Sequence, residues 1–228
     1  MIKLLPLLLA LGAGLVMWWT SSRRLSRELD HKSTEMTDPV IRSHVRSMAD
    51  ALGLPDLRVF VYETPAINGL AAPDGRIFIT RGFMDKYRLG EVRGEEIASV
   101  IAHELGHVAL GHSKRRMFDF TGQNAVRVVL GMVLGRYIPF VGVWIANLVA
   151  GMIAARLSRQ DEYEADAYAA AVMTKIGLGT GPQITMFQKL DRIAGGQGGQ
   201  LAWLMSHPKT EERIAAINAL SDGWRSAR

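Results

Sequence analysis

At 228 residues the chain fits one domain plus an appendage, with enough length to bury a substantial core. It has no cysteine, which excludes structural disulfides, thiolate metal ligands and a lipid-modified N-terminal cysteine. A net charge of +5 and a pI near 9.7 are compatible with nucleic-acid binding, but the lysines and arginines are scattered and no aromatic-rich basic run accompanies them. No nucleic-acid partner is therefore expected. A basic surface facing anionic lipid accounts for the charge as well, and a hydrophobic share of 48% points to membrane contact.

Leu4 to Ser22 carries no charge, Trp18 and Trp19 stand near its end, and Arg23, Arg24 and Arg27 follow. About nineteen residues at ~1.5 Å each cross a hydrocarbon core of roughly 30 Å, with the tryptophans at the interface and the arginines in water. Residues 1–24 read as an uncleaved N-terminal membrane anchor. A cleaved signal peptide with Lys3 as its charged n-region is the competing reading, disfavoured because more apolar sequence follows the cleavage candidate at Ala10 to Ala13. The arginine flank outweighs Lys3, which favours a single-pass protein of the cell membrane with its domain on the cytoplasmic side; a periplasmic or secreted domain is the alternative. Residues 25–37 read as a polar linker or surface helix, and 38–228 as the domain.

Asp38 and Pro39 supply an N-cap and a first-turn proline for a helix to about Leu52, with Val40, Ile41, Val45 and Met48 as its apolar stripe and Gly53 as its stop. Leu57 to Glu63 and Gly75 to Thr80 read as strands, with turn residues between them, among them Asn68, Gly69 and Pro73. Were Arg76, Ile77, Phe78 and Ile79 to form an edge strand, an extended peptide could pair with it through main-chain hydrogen bonds.

The run Val100 to Leu110 contains His103-Glu104-Leu105-Gly106-His107, within a helix expected from about Gly94 to Met117. Residues four apart share a helix face, so His103 and His107 can point two imidazoles at one ion. Two nitrogens do not make a catalytic zinc site; a third protein ligand is needed, with the fourth position left to water. Glu104 can reach that water as a general base. A buried helix with two satisfied core histidines is the competing reading, and it leaves the glutamate without a role. His112, five residues on and about 140° around the helix, cannot join from the same helix. The longer pattern HExxHxxGxxH is excluded, because Leu110 and Ser113 stand where it requires glycine and histidine.

From Val126 to Ala155 the chain is almost wholly apolar, broken by Arg127, Gly131, Gly135, Arg136 and Pro139. Residues 126–156 read either as two buried helices or as a hydrophobic hairpin that enters or lies on a bilayer. Immediately after come Asp161-Glu162-Tyr163-Glu164-Ala165-Asp166, with Ser158 as a candidate N-cap. Glu162 and Asp166 are again four apart on one face. One can bind a metal, and the other can accept the free ring N–H of a ligand histidine.

HELGH followed after a hydrophobic interval by SRQDEYEAD resembles the membrane-associated zinc metallopeptidases that include HtpX, the CAAX prenyl proteases and BepA. Asn68-Gly69-Leu70-Ala71 before Gly75-Arg76-Ile77-Phe78-Ile79 is similar to that family's NAFA strand element, with Gly69 in place of the usual alanine. Ser206-His207-Pro208 with Arg213-Ile214 is similar to its C-terminal HP…RI element. The resemblance covers roughly residues 38–219. It implies a mainly α, gluzincin-type α+β domain with a small sheet, one zinc ion per chain held by His103, His107 and Glu162, and peptide-bond hydrolysis. It also implies that Asp166 orients a ligand histidine.

Gly177 to Pro182 breaks the third-ligand helix and starts another, from Gln183 to Ala194, and the glycine-rich Gly195 to Gly199 can hinge a loop over the cleft. Given the resemblance, His207 is expected to face zinc, stabilising the oxyanion or occupying the open position, and Arg213 to brace its segment through an ion pair. The expected protein is a membrane-anchored zinc endopeptidase acting on unfolded or misassembled membrane or envelope proteins, with lipid as a further partner and an oligomer compatible with it. A zinc-binding chaperone or holdase without proteolysis is the alternative, and the intact Glu104 argues against it.

Overall fold

The computed structural model describes residues 4–72, 74–138, 141–196 and 210–226. Its elements are α1 (Leu4–His31), β1 (Ser33–Glu35), α2 (Pro39–Leu52), β2 (Val59–Tyr62), β3 (Gly69–Ala71), β4 (Ile77–Thr80), α3 (Arg81–Arg88), α4 (Gly94–Ala109), α5 (His112–Tyr137), α6 (Val141–Lys175), α7 (Gly181–Gly196) and α8 (Thr210–Ser226). The fold is mainly helical with one small mixed sheet, the class expected from the sequence. Two compact units make it up. One comprises Leu29–Leu110 and Glu162–Arg228, and the other Met1–Glu28 and Gly111–Asp161.

The first unit is built around α4. It is a core helix, in which Ile97, Ala98, Val100, Ile101, Ala102 and Leu105 are all buried. They share a core with Ile41 and Met48 of α2, Val59 and Val61 of β2, Ile77 and Ile79 of β4, Met173 of α6, and Met186 and Leu190 of α7. Asp38 caps α2 as expected, accepting the Val40 and Ile41 N–H groups, and Gly53 closes it at φ 66°. Val40, expected in the buried stripe, is 48% exposed, and Ala49 takes a buried place instead.

The sheet has the order β1-β2-β4-β3, with β2 and β4 parallel and the outer pairs antiparallel. This corrects the expected substrate strand. Arg76 precedes β4, and Ile77, Phe78 and Ile79 lie in it with a hydrogen-bonded neighbour on each side, so no peptide can add to that strand. The reason is visible in the residues: all of β4 is buried, as suits an inner strand covered on both faces. The open edge on that side belongs to β3, whose Gly69 pairs with Ile79 and Ala71 with Ile77.

The stretch read as a linker or surface helix is ordered secondary structure. α1 continues to His31, and β1 pairs antiparallel with β2, Ser33 opposite Tyr62. Leu29 packs on Phe78 and Ala72 across the far face of the sheet. Arg76 ties the end of α1 to the β3–β4 turn, with guanidinium nitrogens 2.8 Å from both Asp30 and Asp74. Opposing charges on two segments raise its pKa despite the burial that lowers it.

Two further boundaries differ from expectation. α4 stops at Ala109, because Gly111 adopts the left-handed conformation (φ 69°) that suits glycine, and His112 opens a new helix. There the His112 Nε2 lies 3.8 Å from the Asp161 carboxylate, both buried within the second unit. Ser158 is no N-cap but a mid-helix residue of α6, which runs unbroken from Val141 to Lys175. No glycine or proline follows Gly151 in that helix, and alanines and other good helix formers dominate its second half.

The N-terminus of α4 is tied to α7 by one buried carboxylate. Glu96, fully buried, accepts from its own helix start at the Arg93 N–H (2.8 Å), from Lys189 Nζ (2.7 Å) and from the Thr185 hydroxyl (2.9 Å). Burial pushes its pKa up, but Lys189 and these hydrogen bonds outweigh burial and hold it below the ordinary value. A folded pKa below the unfolded one gives stability that is complete above the unfolded pKa of ~4.3 and lost as pH falls through the folded value. Glu96→Ala is expected to lower stability by about 1–3 kcal/mol at pH 7. In denaturant titrations the gap to the unaltered protein should narrow once the pH drops below ~4.

Candidate active site

The site forms where α4 and α6 touch. A Cβ on Gly106 would lie 3.0 Å from the Ala165 Cα and 3.1 Å from its carbonyl oxygen, so the two backbones approach as closely as only glycine allows. This contact sets Glu162, one turn before Ala165, opposite the paired histidines. His103 Nε2 is 3.4 Å from one Glu162 oxygen and His107 Nε2 is 3.5 Å from the other. The two Nε2 atoms are 3.1 Å apart. His103, His107 and Glu162 each bring one ligand atom within 4.8 Å of the others, and all are buried.

Behind this trio lies a second layer. His103 Nδ1 donates to Asp166 Oδ1 at 2.9 Å, which fixes the ring's orientation and sets Nε2 toward Glu162. Arg213 of α8 grips Asp166 through two bonds, Nε to Oδ2 at 2.6 Å and Nη2 to Oδ1 at 2.8 Å. Its Nη2 also lies 3.6 Å from Glu162, and its guanidinium stacks over the Phe187 ring at 4.4 Å. A planar fork is the cation best shaped for such bidentate pairing. Gln183 of α7 donates to the Asp166 carbonyl at 3.2 Å.

The electrostatics of the trio call for a cation. Burial disfavours charging His103, but its hydrogen bonds to the Asp166 and Glu162 carboxylates win and lift its pKa to about 9. Asp166 is held below the usual carboxylate range, since Arg213 and His103 outweigh its burial, and Arg213 is raised in turn. Two imidazole nitrogens and a carboxylate converging on one buried point are the donor set of a divalent metal with nitrogen and oxygen ligands, zinc above all. The residues present fit that ion.

Glu104, next to His103 and 2% exposed, faces β3. The structure thus brings together His103, Glu104, His107, Glu162, Asp166 and Arg213, all singled out from the sequence. His207 lies outside the described residues. Asn68 precedes β3, where its N–H meets the Thr80 hydroxyl (3.0 Å) and its carbonyl the Thr80 N–H (3.1 Å). Sequence reasoning missed the contacts of Gly106, Ala165 and Gln183. The small residue inside HELGH was the one signal for the first two; nothing in the sequence marked Gln183.

A HExxH helix joined to a glutamate from a later helix defines a metallopeptidase. The sequence pattern of Peptidase family M48 matches residues 35–221. Metalloprotease LoiP of Escherichia coli (strain K12) is 30% identical over 203 residues, covering 87% of this chain and 78% of LoiP. Metalloprotease YcaL of the same strain is 31% identical over 157 residues, covering 69% of this chain and 59% of YcaL. Protease HtpX of Thioalkalivibrio sulfidiphilus (strain HL-EbGR7) is 25% identical over 240 residues, covering 89% of this chain and 78% of that protein. The chain belongs to Peptidase family M48 and is a metalloprotease, a hydrolase of peptide or protein substrates.

Asp166 supports the site on both sides. Asp166→Ala strands the Arg213 guanidinium in the core and is expected to cost about 3–5 kcal/mol of stability in thermal or chemical denaturation. Asp166→Asn keeps the shape but weakens the hold on His103, and competition with a chromophoric chelator should show zinc affinity reduced about 10–100-fold.

Proposed function

We propose that this protein is a membrane-anchored zinc endopeptidase that cleaves unfolded or misassembled membrane or envelope proteins. The observation that carries the reading is the buried convergence of His103, His107 and Glu162 beside Glu104. His103, His107 and Glu162 would hold the zinc ion. When bound, the zinc ion supplies Lewis-acid polarisation of a water and of the scissile carbonyl. Glu104 takes the proton from the attacking water and passes it to the leaving amine. Asp166 keeps His103 in the tautomer that offers Nε2, and Arg213 keeps Asp166 ionised and fixed. His207 is assigned to the oxyanion or to the open position.

The substrate lies along β3 rather than β4. Main-chain pairing to an open edge is sequence-tolerant, which suits an enzyme that accepts unfolded chains. The backbone of Asn68 is spoken for by Thr80, so pairing begins at Gly69 and runs toward Ala71.

Membrane attachment is supported by exposed apolar side chains. α1 exposes Leu8, Leu9, Val16, Met17 and Trp19, and the 126–156 hairpin exposes Met132, Val133, Tyr137, Trp144 and Met152. α6 is long and apolar enough to cross a membrane. The catalytic domain is assigned to the cytoplasmic side from the arginines after Trp19.

Casein digestion with and without a chelator separates a peptidase from a holdase, which would bind casein and leave it intact. Glu104→Gln is expected to retain stoichiometric zinc while losing at least ~10²-fold in cleavage rate. Glu162→Ala is expected to lose zinc, measured by metal analysis after dialysis; tight retention would move the ligand elsewhere. For the hairpin, residues 25–228 should float with anionic vesicles, and Trp144→Asp combined with Met152→Asp should release them.

A further inference from the structure

β3 has three residues and one hydrogen-bonded neighbour, so its place depends on what packs against its two faces. Successive residues of a strand face opposite ways. Gly69 meets Val100 of α4, and Leu70 turns to the far face of the sheet. There the support comes from the last turn of α1, which belongs to the same compact unit as the sheet. Leu29, fully buried, forms a small apolar cluster with Ala72 and Phe78, against which Leu70, Phe60 and Tyr62 pack. Asp30, the next residue, reaches the turn between β3 and β4. Arg76 lies 2.8 Å from Asp30 and 2.8 Å from Asp74, and its guanidinium stands over the Phe78 ring at 5.3 Å. The turn closes on itself, the Ala72 N–H donating to the Arg76 carbonyl at 2.8 Å and the Gly75 N–H to the Ala72 carbonyl at 3.0 Å. The end of α1 is itself held, since the Lys32 carbonyl accepts from the Glu63 N–H at 2.8 Å and β1 pairs with β2.

We propose that Leu29 and Asp30 are positioning residues for the substrate edge: the last turn of α1 braces the β3–β4 hairpin from behind and sets where β3 stands. The inference rests on the reading of β3 as the strand that takes the substrate. It gives the end of a helix read from sequence as anchor and linker a second task, in the sheet of the catalytic domain. Of the two ties, the buried one carries more. Asp30 is 55% exposed, and an ion pair so open to water is worth little. Leu29 has no exposed surface, and removing such a side chain leaves a cavity that its neighbours fill only in part. The neighbours here are Ala72, Phe78 and Leu70, so the loss falls on the hairpin. The helices that carry the metal ligands stand on the larger core, which is separate from this cluster. A peptide pairing along so short an edge has few main-chain groups to meet, and a hairpin that shifts or opens takes them out of reach.

The test uses the full zinc-loaded protein and three variants: Leu29→Ala, the volume-conserving Leu29→Met, and Met48→Ala, which opens a cavity in the larger core instead. Hydrogen exchange is expected to show the β3–β4 segment, with the amides of Ala72, Gly75 and Thr80, opening at least about tenfold faster in Leu29→Ala while α4 is unchanged. In peptide cleavage the same variant should raise KM about three- to tenfold, the worth of one main-chain hydrogen bond to the edge, with kcat and zinc content nearly unchanged. Leu29→Met should match the unaltered protein in both readings. Met48→Ala should lower the melting temperature without the local change in exchange and without the rise in KM. Should Leu29→Ala fail to fold, Arg76→Met breaks the surface tie and is expected to move exchange and KM in the same directions. Unchanged exchange in the β3–β4 segment would overturn the inference, as would faster exchange with KM unaltered. An equal rise of KM in Met48→Ala would reduce the effect to general destabilisation and overturn it too. Absence of chelator-sensitive cleavage in the unaltered protein is a different result: it would count against the peptidase reading, while exchange still decides whether Leu29 braces the hairpin.

Discussion

The structure depends on the place where Gly106 meets Ala165. Without a side chain at 106 two helices come to backbone contact. That approach brings a carboxylate of α6 to within hydrogen-bonding range of two imidazoles of α4. A side chain at 106 would press on Ala165, one turn after Glu162, and would have to move it by a few tenths of an ångström. Glycine inside a helix is unfavourable by about 1 kcal/mol relative to alanine, and α4 carries that cost at the point where it meets α6.

Closing the helices creates an electrostatic problem that the rest of the fold answers. Glu104, Glu162 and Asp166 are each about 2% exposed or less. Buried carboxylates need compensation by cations and hydrogen bonds. Arg213, brought in by α8, faces Asp166 and Glu162 together and is itself buried. One guanidinium cannot neutralise the group, so His103 holds its proton up to a pKa of about 9. A divalent ion placed on the Nε2 atoms and Glu162 would supply the missing positive charge, with Asp166 still accepting the hydrogen bond from Nδ1–H. The network is thus arranged for a metal before any metal is considered.

The sheet answers a different need. It places its outer strand β3 against α4, the helix that carries Glu104. β4 could not serve, being buried on both faces and paired on both sides. α6 joins the two themes in one element: its first half exposes Val143, Trp144, Leu148 and Met152, and its second half carries Glu162 and Asp166. An exposed apolar stretch and two of the site's carboxylates share a single uninterrupted helix of about 52 Å.

Much of the site was legible in the linear chain because its parts are local. Spacing of four on a helix puts His103 with His107 and Glu162 with Asp166, and Asp38-Pro39 and Gly53 mark the ends of α2, whatever the rest of the fold does. Those features follow from backbone geometry within a turn or two. What remained hidden depended on distance along the chain. Whether β4 was an edge or a centre was decided by its partners β2 and β3, which lie elsewhere in the chain. That α4 ends at Ala109 was decided by a left-handed glycine that a helical pattern alone does not exclude. Likewise Glu96 with Lys189 and Thr185, or Gln183 with Asp166, meet only because helices far apart in sequence pack together. The sequence by itself determined the chemistry available, two imidazoles, their carboxylates and a long apolar stretch, because those are matters of residue type and short-range period. Only the tertiary structure decided the distances, and so which carboxylate faces the histidines, because a gap of fifty-odd residues between α4 and Glu162 is closed by packing and not by pattern.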